Sequence, residues 1–126
     1  MNRTSNNNPF GINVTTYANP PAIVRAYILT NGTPAGSGDQ VAFYVGDELR
    51  NIANVLVTPN FSIVAANIEM KTNIEEITKI EIWDSSEGKK LRAPNKIEVE
   101  SGVATAILTL DGLTDNVNPV IELIGN

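Results

Sequence analysis

Three observations predict an all-β fold, an antiparallel β-sandwich of about eight or nine strands. Short runs of β-branched and aromatic residues recur at the roughly 8–12-residue spacing that is typical of sandwiches. Residues that favour turns separate these runs. In residues 38–50 an apolar run passes through Gly46-Asp47 into a second run, which predicts a β-hairpin because glycine adopts positive φ without steric cost.

The strand candidates can be placed along the whole chain. They are 11–17, 22–30, 40–46, 49–57, 61–69, 77–84, 95–100, 103–110 and 119–124. Residues 95–100 and 103–110 alternate between apolar and polar side chains, and Ser101-Gly102 joins them, which predicts an antiparallel hairpin. Four side chains of this hairpin are expected in the core: Ile97, Val99, Leu108 and Leu110.

The run 49–57 departs from simple alternation. Its apolar Ile52 and Leu56 share parity with polar Arg50 and Asn54, so either a β-bulge or a strand with two different environments would account for the pattern. Elsewhere, residues 66–77 offer the one helical alternative, but their apolar stripe is poor, so a short helix or turn is not favoured there.

The length of 126 residues fits one domain. We expect residues 1–10 to be a flexible linker or an expression remnant, and 11–126 to form the sandwich. No run approaches the about 20 apolar residues of a membrane helix, so no membrane insertion is expected. The polar start lacks the apolar region of a signal peptide; we favour a piece of a longer secreted or cell-surface protein over a cytoplasmic one.

The charge distribution disfavours nucleic acid as a partner. The net charge is −5, and residues 1–60 carry three basic and three acidic side chains, so the whole excess lies in residues 61–126. Nucleic-acid binding depends on clustered Lys and Arg. A polyanion is therefore expected to meet a repelling half of the chain.

The residue inventory argues against an enzyme. The chain has no His and no Cys, the commonest general base and nucleophile. Glu98 and Glu100 share a strand face as an acidic pair of the kind a glycosidase uses, but alternation of Glu and Lys is more typical of a solvated face.

Residues 22–52 carry a resemblance to a known group of proteins. Asn31-Gly32-Thr33-Pro34-Ala35 precedes Val41-Ala42-Phe43-Tyr44-Val45, the Gly-Asp turn and Glu48-Leu49-Arg50. This order resembles bacterial extracellular β-sandwich modules of Ig-like or prealbumin-like type, and Ile80-Glu81-Ile82-Trp83-Asp84 is loosely similar to a later strand of such modules. The resemblance implies an accessory module of a cell-surface protein or a secreted polysaccharide-degrading protein, with a role in adhesion, glycan binding or spacing.

Calcium is the metal that the oxygen-bearing loops of the chain would suit. Asp111 and Asp115 lie in a short loop with Asn116, and hard oxygen ligands of this kind suit calcium. Asp and Asn are also turn residues, and that structural role is favoured over a site, so no cofactor is expected.

Aromatic residues supply a candidate sugar platform. Phe61 is assigned to the core, whereas Tyr27, Tyr44 and Trp83 have the parity of outward-facing residues, with Arg25 on the same side as Tyr27. Rings exposed on a sheet face stack on sugars, and Arg reaches their hydroxyl or carboxylate groups. The alternative is that Tyr44 and Trp83 cover the second face of a central strand.

The sequence thus favours a non-catalytic accessory module of a secreted or cell-surface bacterial protein, with a polysaccharide or other surface glycan as partner. The alternative is a structural spacer or an adhesion domain that binds another protein. An edge strand can accept a strand from a partner, but the apolar run 119–124 is expected to close the domain's own sheet.

Overall fold

The computed structural model describes residues 9–113, which form two β-sheets packed face to face and no helix. The predicted β-sandwich is therefore confirmed, with ten strands in the described part. The strands are β1 (Ala22–Thr30), β2 (Thr33–Pro34), β3 (Gln40–Val45), β4 (Glu48–Asn54), β5 (Leu56–Val57), β6 (Ser62–Ile68), β7 (Glu75–Asp84), β8 (Lys89–Arg92), β9 (Ile97–Glu100) and β10 (Ala104–Gly112).

Each sheet contains five strands. The first has the order β10-β1-β6-β5, with β2 beside the end of β1, and the second has the order β4-β3-β7-β8, with β9 further along β7. All strand pairs are antiparallel except β1 and β10, which run parallel. The chain changes sheets several times, so strands that are neighbours in sequence are often in different sheets.

The core lies between the inner faces of the sheets. Val24 and Ile28 of β1 meet Phe43 of β3 and Ile82 of β7, and all four are fully buried. Alternation of buried residues along β1 and β6 follows the two-residue period of a strand with one buried face. The hydrophobic pattern therefore fixes which face of each strand turns inward.

The Gly46-Asp47 hairpin is confirmed. β3 and β4 pair antiparallel across this turn, and Gly46 has a φ of 59°. The register shifts between Phe43, which lies opposite Asn51, and Tyr44, which lies opposite Leu49. The extra residue in β4 is Arg50. The departure from alternation in this run is thus explained by a β-bulge.

The predicted hairpin of 95–100 with 103–110 is wrong. β9 pairs with β7 in the second sheet and β10 pairs with β1 in the first, so Ser101-Gly102 turns the chain from one sheet to the other. Alternation reports which face of a strand is buried, and it carries no information on the partner strand. The expected core positions are nevertheless inward: Val99 and Leu110 are buried, and Ile97 and Leu108 pack against the core.

Three other segments remain to be compared with the sequence expectations. Residues 11–17 form no strand. Between β6 and β7 the chain contains bends and no helix, so part of 66–77 adopts the turn-like structure that the sequence did not favour. The expected strand 119–124 lies outside the described residues.

Arg50 is the largest fully buried side chain of the described structure, with 2% exposure. Its Nε lies 3.0 Å from Glu48 Oε1 and its Nη2 lies 2.9 Å from Glu76 Oε1. Its Nη1 donates a hydrogen bond of 2.7 Å to the backbone carbonyl of Glu69, and its guanidinium carbon lies 4.9 Å from the centre of the Tyr17 ring. We call these five residues the arginine cluster.

Further hydrogen bonds tie distant segments to the arginine cluster. The Tyr17 hydroxyl donates to Glu48 Oε1 at 2.6 Å, and the Tyr17 backbone N–H donates to Glu69 Oε1 at 2.9 Å. The backbone N–H and hydroxyl of Thr72 donate to Glu76 Oε2 at 2.7 and 3.1 Å. The cluster therefore joins the N-terminal segment, β4, β7 and the connection between β6 and β7.

These contacts set the pKa values of two carboxyl groups. The hydrogen bond from Tyr17 and the charge of Arg50 lower the pKa of Glu48 against the opposing effect of burial. Burial by itself raises the pKa of Glu76, but hydrogen bonds from Thr72 and Arg50 outweigh it, so that pKa is also lowered.

The first prediction concerns pH. A carboxyl group with a lowered folded-state pKa stabilises the fold above its unfolded pKa, and this contribution is lost as the pH falls through the folded value. We expect the free energy of unfolding, measured by urea denaturation, to fall as the pH drops below the ordinary value of 4.5 for Glu76. Glu76→Gln should show a shallower fall, whereas Glu98→Gln, which alters an exposed carboxyl group, should follow the wild type. Identical slopes for the two variants would contradict this account.

The second prediction concerns Gly112, where β10 comes close to the second sheet. A Cβ at this position would lie 2.9 Å from Leu91 Cβ and 3.1 Å from Ile82 Cδ1. We expect Gly112→Ala to destabilise the fold by about 1–3 kcal/mol in urea denaturation because overpacked side chains must shift. In the control Gly36→Ala the new Cβ is 4.0 Å from its nearest neighbour, Asp39 Oδ2. Equal stabilities of the two variants would refute the close packing at Gly112.

Candidate functional site

The structure does not bring the predicted aromatic platform together. Tyr27 and Arg25 lie in β1, on the outer face of the first sheet, whereas Tyr44 of β3 and Trp83 of β7 lie on the outer face of the second. The expectation of one shared face is wrong because parity assigns a residue to the inner or outer face of its own sheet. It does not identify the sheet.

Tyr27 and Arg25 are both engaged in local contacts. The Tyr27 ring meets Phe61 edge to face at 5.3 Å between centroids, and Phe61 is 39% exposed, so its assignment to the core is wrong. The Arg25 guanidinium donates to the carbonyl of Thr105 at 2.7 and 3.1 Å. Arg25 thus holds the point where the register of β1 and β10 shifts.

Tyr44 and Trp83 belong to a second apolar cluster on the outer face of the second sheet. Its buried members are Phe10, Ala42 and Leu49, and Tyr44 and Trp83 are half-buried against them. Phe10 is the last residue of the segment expected to be a linker or remnant, and it is only 8% exposed in this cluster. This placement agrees with the alternative in which both rings help to cover the second face of central strands.

A groove opens beside Tyr44 because the strand pairing along one side of β7 is irregular. Arg92 of β8 lies opposite Glu81, and Ile97 of β9 lies opposite Thr78. The four residues 93–96 therefore span only two residues of β7, and the chain bows away from the sheet. Pro94, which has no N–H to donate to a strand ladder, lies in this bow.

The groove has a volume of 740 Å³ and is partly open to solvent. One wall comes from the β3–β4 hairpin, another from β7, and the third from β8 and the bow. The lining side chains with an aromatic or charged group are Tyr44, Asp47, Lys79, Glu81, Arg92 and Lys96. Lys79 and Lys96 also line an adjoining hollow of 510 Å³.

Charge in the groove is only partly compensated. Arg92 Nη2 lies 3.9 Å from Glu81 Oε2, which is a long ion pair between partly exposed side chains. Lys79 and Lys96 are exposed, and within residues 9–113 neither forms a salt bridge. The groove therefore presents two cations without an ionic partner in the described part of the chain.

Tyr44 is the aromatic residue of the groove. Burial, with a smaller contribution from the negative charge of Glu81, raises the pKa of its hydroxyl. The phenol is therefore neutral near neutral pH and is able to donate a hydrogen bond as well as accept one. One half-buried ring beside charged groups can pack on the apolar face of a sugar and fix its orientation.

Only Asp111 of the predicted calcium pair lies within the described residues. Asp111 Oδ1 accepts a hydrogen bond of 3.0 Å from the backbone N–H of Gly32, which is a turn-stabilising role, and Asp115 lies outside the described residues. Within residues 9–113, no three Asp, Glu, His or Cys side chains are grouped as metal ligands.

Sequence reasoning missed the charged residues of the groove. Five of the nine Lys and Arg residues fall in 79–96, and this concentration inside the acidic half of the chain was the available signal. What the sequence did not show was the register of β8 and β9 on β7. That register places Lys79, Arg92 and Lys96 around one opening.

Comparisons with protein-family models and with curated protein sequences found no match. Among residues 9–113 no helix is long and apolar enough to cross a membrane. Support for a function therefore comes from the geometry and chemistry of the groove.

The third prediction concerns Trp83. Because its ring packs half-buried against the second apolar cluster, we expect Trp83→Ala to destabilise the fold by about 2 kcal/mol, below the roughly 3–5 kcal/mol for a fully buried Trp. Phe10→Ala should act in the same direction, because Phe10 covers the same face. Leu56→Ala removes a side chain that is 64% exposed and serves as the control. Urea denaturation in which Trp83→Ala matched the control would place Trp83 outside the packed cluster.

Proposed function

We propose that this chain is a non-catalytic accessory module of a secreted or cell-surface bacterial protein, and that it binds a glycan in the groove beside Tyr44. The observation that carries the proposal is the combination of a half-buried aromatic ring with hydrogen-bonding charged groups in one concave surface. Glycan sites need these two elements together, because a pyranose has an apolar C–H face and a polar rim.

The groove supports this proposal better than the predicted aromatic platform does. Tyr44 offers a ring, Asp47 and Glu81 offer acceptors, and Lys79 and Arg92 offer donors to sugar hydroxyl groups. Tyr27 is on the other sheet, and Trp83 is not among the residues that line the groove. A single ring in an open groove predicts weak binding, since much of the ligand stays in solvent.

Two features of the sequence support the other parts of the proposal. The lack of His and Cys favours a binding role over catalysis. The similarity of residues 22–52 to Ig-like or prealbumin-like bacterial modules favours an extracellular location and attachment to a larger protein.

The fourth prediction tests the groove. We expect Tyr44→Ala to lose retention in affinity electrophoresis through soluble polysaccharides, because the surface that packs on the sugar is removed. Tyr44→Phe should keep most of the retention. Tyr27→Ala, which removes a ring from the opposite sheet, should leave retention unchanged.

A folding control makes the result interpretable. Circular dichroism and the urea midpoint are recorded for each variant, and only variants that retain the wild-type spectrum are compared. Retention that is lost equally in Tyr27→Ala and Tyr44→Ala, with both folds intact, would remove the groove as the glycan site.

A second candidate is a protein-interaction role, favoured by the outer face of the first sheet. Leu56 and Ile107 are 64% and 50% exposed there, close to the Tyr27–Phe61 pair. Within the described residues, β10 has a neighbouring strand on one side only, and an extended segment of a partner protein fits such an edge. If the chain acts through protein interaction, Ile107→Lys abolishes binding to the partner. If the chain binds a glycan in the groove, the same change leaves retention by the glycan unchanged.

A further inference from the structure

Basic residues are segregated on one part of the second sheet. The chain carries a net charge of −5, yet five of its nine basic residues fall within 79–96. Register places Lys79 opposite Tyr44, Lys90 opposite Trp83 and Arg92 opposite Glu81, so these cations share the outer face. The expectation that residues 61–126 repel any polyanion was based on their net charge alone. It did not include this segregation of the basic residues.

Much of the negative charge of this half is directed elsewhere. Glu76 is paired with Arg50, and the Asp84 carboxylate accepts hydrogen bonds from Ser86 in a turn. Glu98 and Glu100 lie on β9, beyond the bow. The outer face of the second sheet is therefore divided, with cations around the groove and carboxylates along β9.

The groove itself has a cationic excess. Its charged lining consists of Lys79, Arg92 and Lys96 against Asp47 and Glu81, three cations against two anions. Glu81 faces Arg92 at 3.9 Å, while Lys79 and Lys96 make no salt bridge within residues 9–113. Both lysines lie where the groove meets the adjoining hollow, and Glu75 and Glu76 also line that hollow. An acidic ligand in the groove therefore meets the two ammonium groups at this end and is kept out of the hollow by its carboxylates.

We infer that the glycan bound by this groove is an acidic polysaccharide. A sugar ring lies against Tyr44, and carboxylate groups of this or the next sugar bind the ammonium groups of Lys79 and Lys96. The carboxylates of β9 repel such a ligand and confine it to the basic part of the face. This inference rests on the proposed glycan-binding function and names the ligand class of the same site.

The test uses the full chain and two kinds of polysaccharide. Affinity electrophoresis and calorimetry compare polygalacturonate, as the acidic probe, with a neutral galactan and a neutral glucan. We expect binding to the acidic probe alone, and a loss of affinity of about tenfold or more when the salt concentration rises from about 0.05 M to about 0.5 M.

Charge-matched variants then locate the site. We expect Lys79→Gln combined with Lys96→Gln to reduce the affinity for polygalacturonate about tenfold or more, an effect worth about 1.4 kcal/mol per factor of ten. Lys71→Gln combined with Lys89→Gln removes the same charge from exposed positions that do not line the groove, and should change affinity little. Urea midpoints confirm that each pair leaves the fold intact.

The outcomes separate the inference from the proposed function. Binding of neutral glycans that depends on Tyr44 and equals or exceeds acidic binding overturns the inference and leaves the proposed function standing. Equal losses in the two lysine pairs show a diffuse charge effect and overturn the inference. Retention by none of the polysaccharides overturns both.

Discussion

The burial of Arg50 is the constraint on which the rest of the structure depends. Removal of a guanidinium from water costs several kcal/mol unless its charge and donors are satisfied. Here two carboxylates, a backbone carbonyl and an aromatic ring surround it. These partners come from four separate parts of the chain, so the charge is stable only when those parts are assembled. The energetic requirement of one side chain thus specifies the arrangement of the N-terminal segment, β4, β7 and the connection before β7.

The bulge at Arg50 also determines what the hairpin presents to solvent. An unbroken alternation starting from Leu49 would place Ile52 on the inner face. Arg50 follows the outward-facing Leu49 and faces inward in either case. The extra residue places Asn51 opposite Phe43 and returns Ile52 to the outer face, where it packs with Leu49 and Tyr44 in the second apolar cluster. The bulge at the buried arginine therefore determines which side chain of β4, Ile52, packs beside Tyr44 on the outer face.

The sequence predicted what depends on local pattern and failed where pairing decided the outcome. Gly46-Asp47 specifies its own turn, and inward positions such as Val99 and Leu110 follow from alternation. The partners of β9 and β10 depend on contacts between residues far apart in the chain, which alternation does not encode. Tyr44 was recognised as outward-facing for the right local reason, but its neighbours Lys79 and Lys96 depend on the register along β7.

The groove lies between two irregularities of one sheet, and this location has a physical reason. A regular ladder leaves its outer face flat and its backbone groups paired, with no concavity for a small ligand. The bulge in β4 and the two additional residues between β8 and β9 break the ladder on opposite sides of β3 and β7. The core beneath, with Phe43 and Ile82 fully buried, continues without interruption. The fold therefore keeps its packed interior while the outer surface becomes concave beside Tyr44. Lys79 and Lys96, which make no salt bridge within residues 9–113, lie at the same place.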